Sequence, residues 1–441
     1  MPADEEFWIR LHNAFDPEEV LVGARGDSFY CEREHNPFRH ITKDFRRAVQ
    51  PRRRPIAFFT GHRGSGKSSL LLRLLQHFAN DYFVVYFDIE HNIDSQKANQ
   101  IDLLYLLGAA LFRVAEQEKI GPDPKNMEEL GRSVSSITRQ EKNTRKDEKG
   151  NYVEVARGLL GFGASMLGLG FAEKLTDAAL KPFSLSSGVS EETARKREIE
   201  PQVQEILNNI NLIIGDVETK AGKPILMIVD GLDKIQRPEQ AKLIFIDSAA
   251  LRAPLCRIIY TVPMLIYTSL AFGQAEEDCK SYVLPNVKLY EKSSGKRRYE
   301  PGYKTMHEVI TKRLASLGLK AEDVFEPDVL DLLILKSGGI MRWLISLVND
   351  SCTEAELRDL DKIDQDAAQQ AIATRTVQLA GRLNAEMKAE LQKVYAGKIP
   401  SGSPLSSELL HGLLIVAYRN GEAWYDVHPL LWDSLQESVT L

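Results

Sequence analysis

The sequence predicts an α/β fold in which a parallel β-sheet is followed by a helical lid and a C-terminal winged-helix domain. Three observations carry this. Pro224–Asp230 is a near-continuous apolar run, as expected of a strand buried on both faces of a parallel sheet, and Arg257–Val262 is another. Short strands alternate with segments of helical spacing from residue 56 to residue 289. Beyond Tyr303 the pattern turns helical and ends with Asn420-Gly421 between apolar runs, a strong hairpin signal.

Taken in order, residues 1–50 form an N-terminal segment with short helical pieces and a turn at Gly23–Asp27. Pro51–Pro55 is a basic, proline-bounded joint. Ile56–Thr60 is a strand, Leu70–Phe78 a helix, Phe83–Phe87 a second strand, and Ile101–Glu118 an amphipathic helix. Composition then shifts. Residues 121–190 hold a charged run, the apolar glycine-rich segment Gly158–Ala172 and a Ser/Gly stretch at 184–190, and read as an insertion. A helix begins near Glu191, with Pro201 interrupting or restarting it, and Val203–Val217 keeps one face apolar. A helix over Glu239–Arg252 separates the two buried strands. Tyr282–Leu289 is the last strand, placed at an edge by Pro285. Helices follow at Met306–Leu317, Val329–Leu335, Gly339–Val348, about 364–396 and 405–411. The resulting boundaries are 51–300 for the core, 301–360 for the lid and 361–441 for the winged-helix-like domain.

Composition excludes several classes. A chain of 441 residues with 43% apolar and 27% charged residues is that of an ordinary globular protein. The net charge of −6 weighs against a general polyanion binder, although Arg46-Arg47 with Arg52–Arg54, and Lys296–Arg298, are local basic runs. The cysteines Cys31, Cys256, Cys279 and Cys352 are scattered without metal-ligand spacing, which reads as reduced thiols in the cytoplasm. Met1–Arg10 lacks a signal-peptide core, and Gly158–Ala172 is shorter than the roughly 20 residues a spanning helix needs. No membrane association is expected.

Gly61-His-Arg-Gly64-Ser65-Gly66-Lys67-Ser68-Ser69 contains the full G-x-x-x-x-G-K-[ST] pattern between a strand and a helix. Glycines let the backbone wrap a phosphate with its N–H groups inward, and the helix directs its N-terminus at the same anion. Lys67 supplies a positive charge to the β- and γ-phosphates of a nucleotide, and the Ser68 hydroxyl is placed to ligate Mg²⁺. Asp230, at the end of its strand, is the carboxylate for that metal, and Asp233 follows three residues later. The fold class is therefore that of a P-loop NTPase.

With both motifs in hand, the run ILMIVDGLDK is similar to the acidic motif of the STAND class of signalling NTPases, closest to its NACHT branch, with Lys234 in place of glutamate. The resemblance implies that Asp230 holds Mg²⁺ and that Asp233 orients the attacking water. Many AAA+ relatives carry glutamate directly after the metal aspartate. Gly231 stands there, which implies slow turnover. Thr261 resembles the polar first sensor of the wider AAA+/STAND group. Ser337–Arg342 resembles the second sensor of origin-recognition and transposition ATPases, with Arg342 reaching the nucleotide from the lid. Trp424–Leu431 resembles the Met-His-Asp motif of STAND winged helices, with His428 as a nucleotide contact and Val427 and Pro429 replacing Met and Asp. The cofactors implied are ATP, preferred to GTP on group grounds, and Mg²⁺. A homo-oligomer is expected, with Arg252, Arg257, Arg297 or Arg298 as candidate arginine finger. The resemblance implies an ATP-dependent switch of the kind found in prokaryotic antiviral defence, acting with a separate effector because no nuclease, protease or TIR-like segment is visible. Two alternatives stand beside it. One is a DNA-engaging AAA+ ATPase of replication initiation or transposition, against which the acidic balance weighs. The other is a nucleotide-binding scaffold with negligible hydrolysis.

Overall fold

The computed structural model describes residues 5–19, 28–48, 54–89, 98–142, 196–277, 279–292, 297–420 and 422–436. The expectations placed on Gly23–Asp27, Gly158–Ala172 and Ser184–Ser190, and on a helix start near Glu191, lie outside them. In chain order the main elements are α1 (Glu5–Ala14), α2 (Phe38–Arg47), β1 (Ile56–Gly61), α3 (Lys67–Phe78), β2 (Phe83–Asp88), α4 (Gln100–Gln117), α5 (Pro124–Lys142) and α6 (Lys196–Ala221). Then come β3 (Ile225–Asp230), α7 (Pro238–Phe245), β4 (Arg257–Thr261), β5 (Lys280–Leu284), α8 (Glu300–Ser316), α9 (Val329–Lys336) and α10 (Met341–Glu356). The chain ends with α11 (Gln365–Ala380), α12 (Ala385–Gly397), α13 (Pro404–His411), β6 (Ile415–Asn420) and β7 (Glu422–Val427). They form two compact units, Phe38–Thr60 with Leu71–Tyr282, and Met1–Pro37 with Gly61–Leu70 and Val283–Leu441.

The sheet unit has the strand order β2-β3-β4-β1-β5. The pairs β1–β4, β2–β3 and β3–β4 are parallel, so the chain has the predicted α/β, parallel-sheet class. β1 and β3 are buried at every position, as strands covered on both faces must be, whereas the edge strand β2 is partly exposed. β5 is the other edge and stops directly before Pro285, whose missing N–H ends the ladder earlier than Leu289. Phe58 anchors the core, with Phe245 at 6.0 Å and Phe272 at 5.5 Å between ring centroids.

In the sheet unit three helices differ from expectation. α6 carries Pro201 inside it, and beyond the proline Ile206, Ile210, Ile213 and Val217 bury one face. α7 ends at Phe245 instead of Arg252, and the chain resumes as a 3₁₀ turn at Ala250–Arg252. The expected insertion contributes α5, which packs against α4 and α6 through Leu130 and Val134.

In the second unit α10 packs against α1 and α11, and α9 packs against α8, α10 and α11. The helical stretch read as 364–396 is two helices. It breaks after Ala380, and Asn384 caps α12 by accepting the Met387 N–H at 2.8 Å. β6 and β7 pair antiparallel as the predicted hairpin, with Ala417 opposite Tyr425. Among the described residues no helix is long and apolar enough to cross a membrane.

Candidate functional site

The loop between β1 and α3 belongs to the second unit together with the N-terminal and C-terminal segments. Gly64 and Gly66 have φ of +78° and +90°, which L-residues with side chains rarely adopt. Gly64 is required twice over, since a Cβ there would lie 2.7 Å from the Arg342 Cβ. Lys67 opens α3 and is only 6% exposed; its Nζ donates to the carbonyls of Gly61 and His62, each at 2.9 Å. Ser68 and Ser69 follow, half-buried, in the first turn, where helix N–H groups have no intrahelical partner. The Ser65 hydroxyl is buried with no hydrogen-bond partner among the described residues. Turned-in glycines, a buried lysine, an orphan hydroxyl and a helix N-terminus together fit an anionic phosphate group.

Distant segments hold this loop. The Arg342 N–H, at the start of α10, donates to the Gly64 carbonyl at 3.1 Å, while its guanidinium lies 3.6 Å from Glu18. Arg33 Nη2 donates to the Ser65 carbonyl at 2.7 Å, and Nη1 is buried without a hydrogen-bond partner among the described residues. Burial lowers the Arg33 pKa to about 10, opposed by Tyr30 and Cys31. Among the described residues no carboxylate pairs with this half-buried guanidinium, which leaves it suited to another anion. The His62 ring is buried, and its Nε2 accepts the Ala417 N–H of β6 at 2.8 Å. That bond places the ring proton on Nδ1. Burial, and then Lys67, push the His62 pKa down to about 3, so the ring stays neutral.

His428 is fully buried. Its Nδ1 accepts the Leu430 N–H at 3.3 Å, its ring lies 4.8 Å from that of Trp343, and its Nε2 has no partner among the described residues. Burial, and then Lys336, lower its pKa to about 3. Among the described residues no hydrogen bond or ring contact joins it to Gly61–Ser69.

Asp230, Asp233 and Thr261 sit in the sheet unit. The register sets Asp88 directly beside Asp230 at the ends of β2 and β3. Asp230 is buried; Oδ2 accepts the Tyr86 hydroxyl at 3.0 Å and Oδ1 the Gly231 N–H at 2.8 Å. Burial, then Asp230 and Asp88, raise the Tyr86 pKa well above its ordinary value and keep the phenol a donor. Gly231 has φ of +85°, and a Cβ there would fall 2.2 Å from Asp88 Oδ1. The positive φ thus favours glycine here, and the Asp88 carboxylate end fills the space a side chain would take. Asp233 lies half-buried in the 3₁₀ turn Leu232–Lys234, and Lys234 Nζ is 3.9 Å from Asp88. The Thr261 hydroxyl accepts the Leu232 N–H at 3.0 Å and lies 3.4 Å from the Val229 carbonyl, so it braces the acidic turn.

Among the described residues no group of three or more His, Cys, Asp or Glu could hold a metal by itself. The hard carboxylate of Asp230 beside Asp88 still suits Mg²⁺, which takes one or two carboxylates and completes its shell with water and phosphate oxygens. Of the arginine-finger candidates, Arg257 is corrected. It is 1% exposed and bonds Ala48 and Glu218 inside its own unit, out of reach of a neighbour. Arg298 is tied to Asp331 and Glu300.

Sequence reading missed Arg33, Tyr86 and the acceptor role of His62. Arg33 carried a faint signal as an arginine between Glu32 and Glu34 after an aromatic pair. Tyr86 lies two residues before Asp88 on a strand whose pairing with β3 had to be known first.

No protein-family model and no curated protein matches this chain. Among solved structures, the chain is similar to Cdc6p from Pyrobaculum aerophilum, with 11% identity, 97% of this chain and 96% of that chain covered, and a TM-score of 0.41. It is also similar to the Aeropyrum pernix ORC2 protein in its ADPNP-ADP complexes, with 15% identity, 97% and 96% coverage and a TM-score of 0.41. The Thermotoga maritima RuvB Holliday junction branch migration motor gives 13% identity, 52% and 83% coverage and a TM-score of 0.26. At these TM-scores the likenesses assign no function.

Proposed function

We propose that the chain is an ATP-binding, slowly hydrolysing switch ATPase of the AAA+/STAND kind. One observation carries the switch: the phosphate loop is bonded to the helical lid through Arg342 and Gly64 and to the C-terminal hairpin through Ala417 and His62. A ligand that reshapes this loop changes what the lid and hairpin hold. A protein responds to a ligand only through such differential contacts.

The residue roles follow the motifs. Backbone N–H groups of Gly64, Gly66, Lys67 and Ser68 and the Lys67 ammonium hold the β- and γ-phosphates. Arg33, with its orphan Nη1, supplies a second cation to the same anion. Ser68 and Asp230 are the proposed Mg²⁺ ligands, and bound Mg²⁺ neutralises phosphate charge. Asp233 orients the attacking water. Thr261, whose hydroxyl supports the turn before Asp233, acts as a positioning residue. Gly231 supports slow turnover, since no carboxylate follows Asp230 directly. His428 is assigned to the hairpin's internal order, with a nucleotide contact left to its free Nε2. The lid is proposed over 301–360 and the winged-helix-like domain over 361–441. Among the described residues nothing speaks for an antiviral role or a separate effector.

The test is ATP turnover of the wild type beside Lys67→Ala and Asp233→Asn. Lys67→Ala is expected to abolish turnover and nucleotide binding; Asp233→Asn should lower turnover with binding retained. An unchanged rate for Lys67→Ala overturns the assignment.

A further inference from the structure

The strongest feature outside the nucleotide machinery is the outer face of α2. Ile41 and Phe45 are fully buried and fix which side of the helix faces inward. The other side exposes Arg39, Lys43, Arg46 and Arg47. Helical rise spreads these four cations over about 12 Å. Thr42, Lys43, Arg46 and Arg47, with His77 of α3, line an open groove of about 400 Å³. Arg73, stacked on the Phe38 ring at 4.9 Å, adds a further positive charge nearby.

The opposing charges do not cancel this surface. Asp44 is occupied by Lys280 at 2.8 Å and Tyr282 at 2.7 Å. Asp81 lies 3.9 Å from Arg46 Nε, an exposed pair of small worth. Among the described residues no ion pair within 4 Å engages Lys43 or Arg47, and the Arg47 charge also acts on Asp44. His77 responds to the local field: burial, then Arg46, lower its pKa. The chain as a whole carries −6, so the clustering of cations here runs against the overall sign.

We propose that the groove between α2 and His77 binds the phosphate backbone of a nucleic acid. Lys43, Arg46 and Arg47 make the phosphate contacts. This goes beyond the nucleotide switch, since none of these residues belongs to it. An anionic lipid surface offers phosphate as well, but a helix lying in a membrane interface presents an apolar side to the lipid. The apolar side of α2 is spent on the protein core. Contacts of this kind neutralise charge without reading bases, so binding is independent of sequence and steeply dependent on salt.

The experiment uses the full chain and a fluorescently labelled duplex DNA of about 30 base pairs, with binding followed by anisotropy from about 50 to about 200 mM salt. The comparison is with the triple variant Lys43→Gln/Arg46→Gln/Arg47→Gln, all three positions being exposed. The wild type should bind with log K falling linearly in log salt. The variant should bind at least tenfold more weakly at low salt, with a slope shallower by about 2 to 3, near 0.9 for each phosphate that is no longer neutralised. ATP turnover without DNA should be equal in both, which separates this outcome from failure of the switch reading and confirms that the variant folds. Equal DNA affinity and slope in the two proteins, or absence of wild-type binding at low salt, overturns the proposal. Binding to phosphatidylserine vesicles that the variant loses, without DNA binding, overturns it in favour of a membrane surface.

Discussion

The phosphate loop and the acidic turn after β3 are both short segments leaving the ends of buried strands, yet they are held by opposite means. The acidic turn is supported by its own sheet: Gly231 bonds Asp230, Thr261 on β4 bonds Leu232, and Asp88 and Tyr86 come from the paired strand β2. The phosphate loop is tethered to remote parts of the chain, Arg33, Arg342 and Ala417. The first arrangement is set once the sheet forms. The second depends on where the lid and the hairpin lie, and that is what a switch requires.

The largest effect that sharpens this contrast is on the loop itself. Lys67→Ala removes the buried side-chain cation of the motif, and nucleotide binding measured by calorimetry should disappear. The hairpin and the loop bonded to it should also respond to pH. His62 and His428 have folded pKa values of about 3 against an ordinary 6.5. The unfolded chain therefore takes up protons below pH 6.5 that the folded chain refuses. Their contribution is complete above that pH and declines as pH falls toward 3, by about 1.4 kcal/mol per pH unit for each ring. Urea midpoints measured between pH 7 and 5 should fall accordingly, and less steeply in His62→Gln, which retains an acceptor without the titration.

Smaller effects probe the acidic turn. Tyr86→Phe removes the phenol donor from a buried carboxylate and should cost about 1.5 to 3 kcal/mol of stability, with nucleotide binding nearly intact. Gly231→Ala forces a side chain into a positive φ, costing about 1 to 2 kcal/mol. The Asp88 carboxylate end must also rotate away. Combining it with Asp88→Ala should relieve the steric part and leave the backbone part, a double-mutant cycle read by denaturation. If instead Tyr86→Phe abolished binding and left stability unchanged, the division between a sheet-held turn and a tethered loop would fail.

The same contrast explains how much the sequence could reveal. The phosphate loop was legible because its chemistry demands fixed residue types at fixed spacing, and Asp230 because a carboxylate closes an apolar run. The strands were legible from apolar continuity, and the hairpin from Asn420-Gly421. What failed were properties set by packing partners. The helix read as ending at Arg252 stops at Phe245, and α6 runs through Pro201. Helices α11 and α12 separate at a turn whose cap, Asn384, resembles any surface asparagine in sequence. Arg33 and the bond between His62 and Ala417 join residues far apart in the chain, and no local pattern announces such a pairing.

The central claim is that the C-terminal hairpin reads the state of the phosphate loop. Hydrogen exchange at the Ala417 amide, whose N–H is bonded to His62, tests it most directly. With ATP and Mg²⁺ added, protection of that amide should change clearly in the wild type and stay constant in Lys67→Ala. Identical Ala417 protection with and without nucleotide, in a wild-type protein shown by calorimetry to have bound it, would contradict the account.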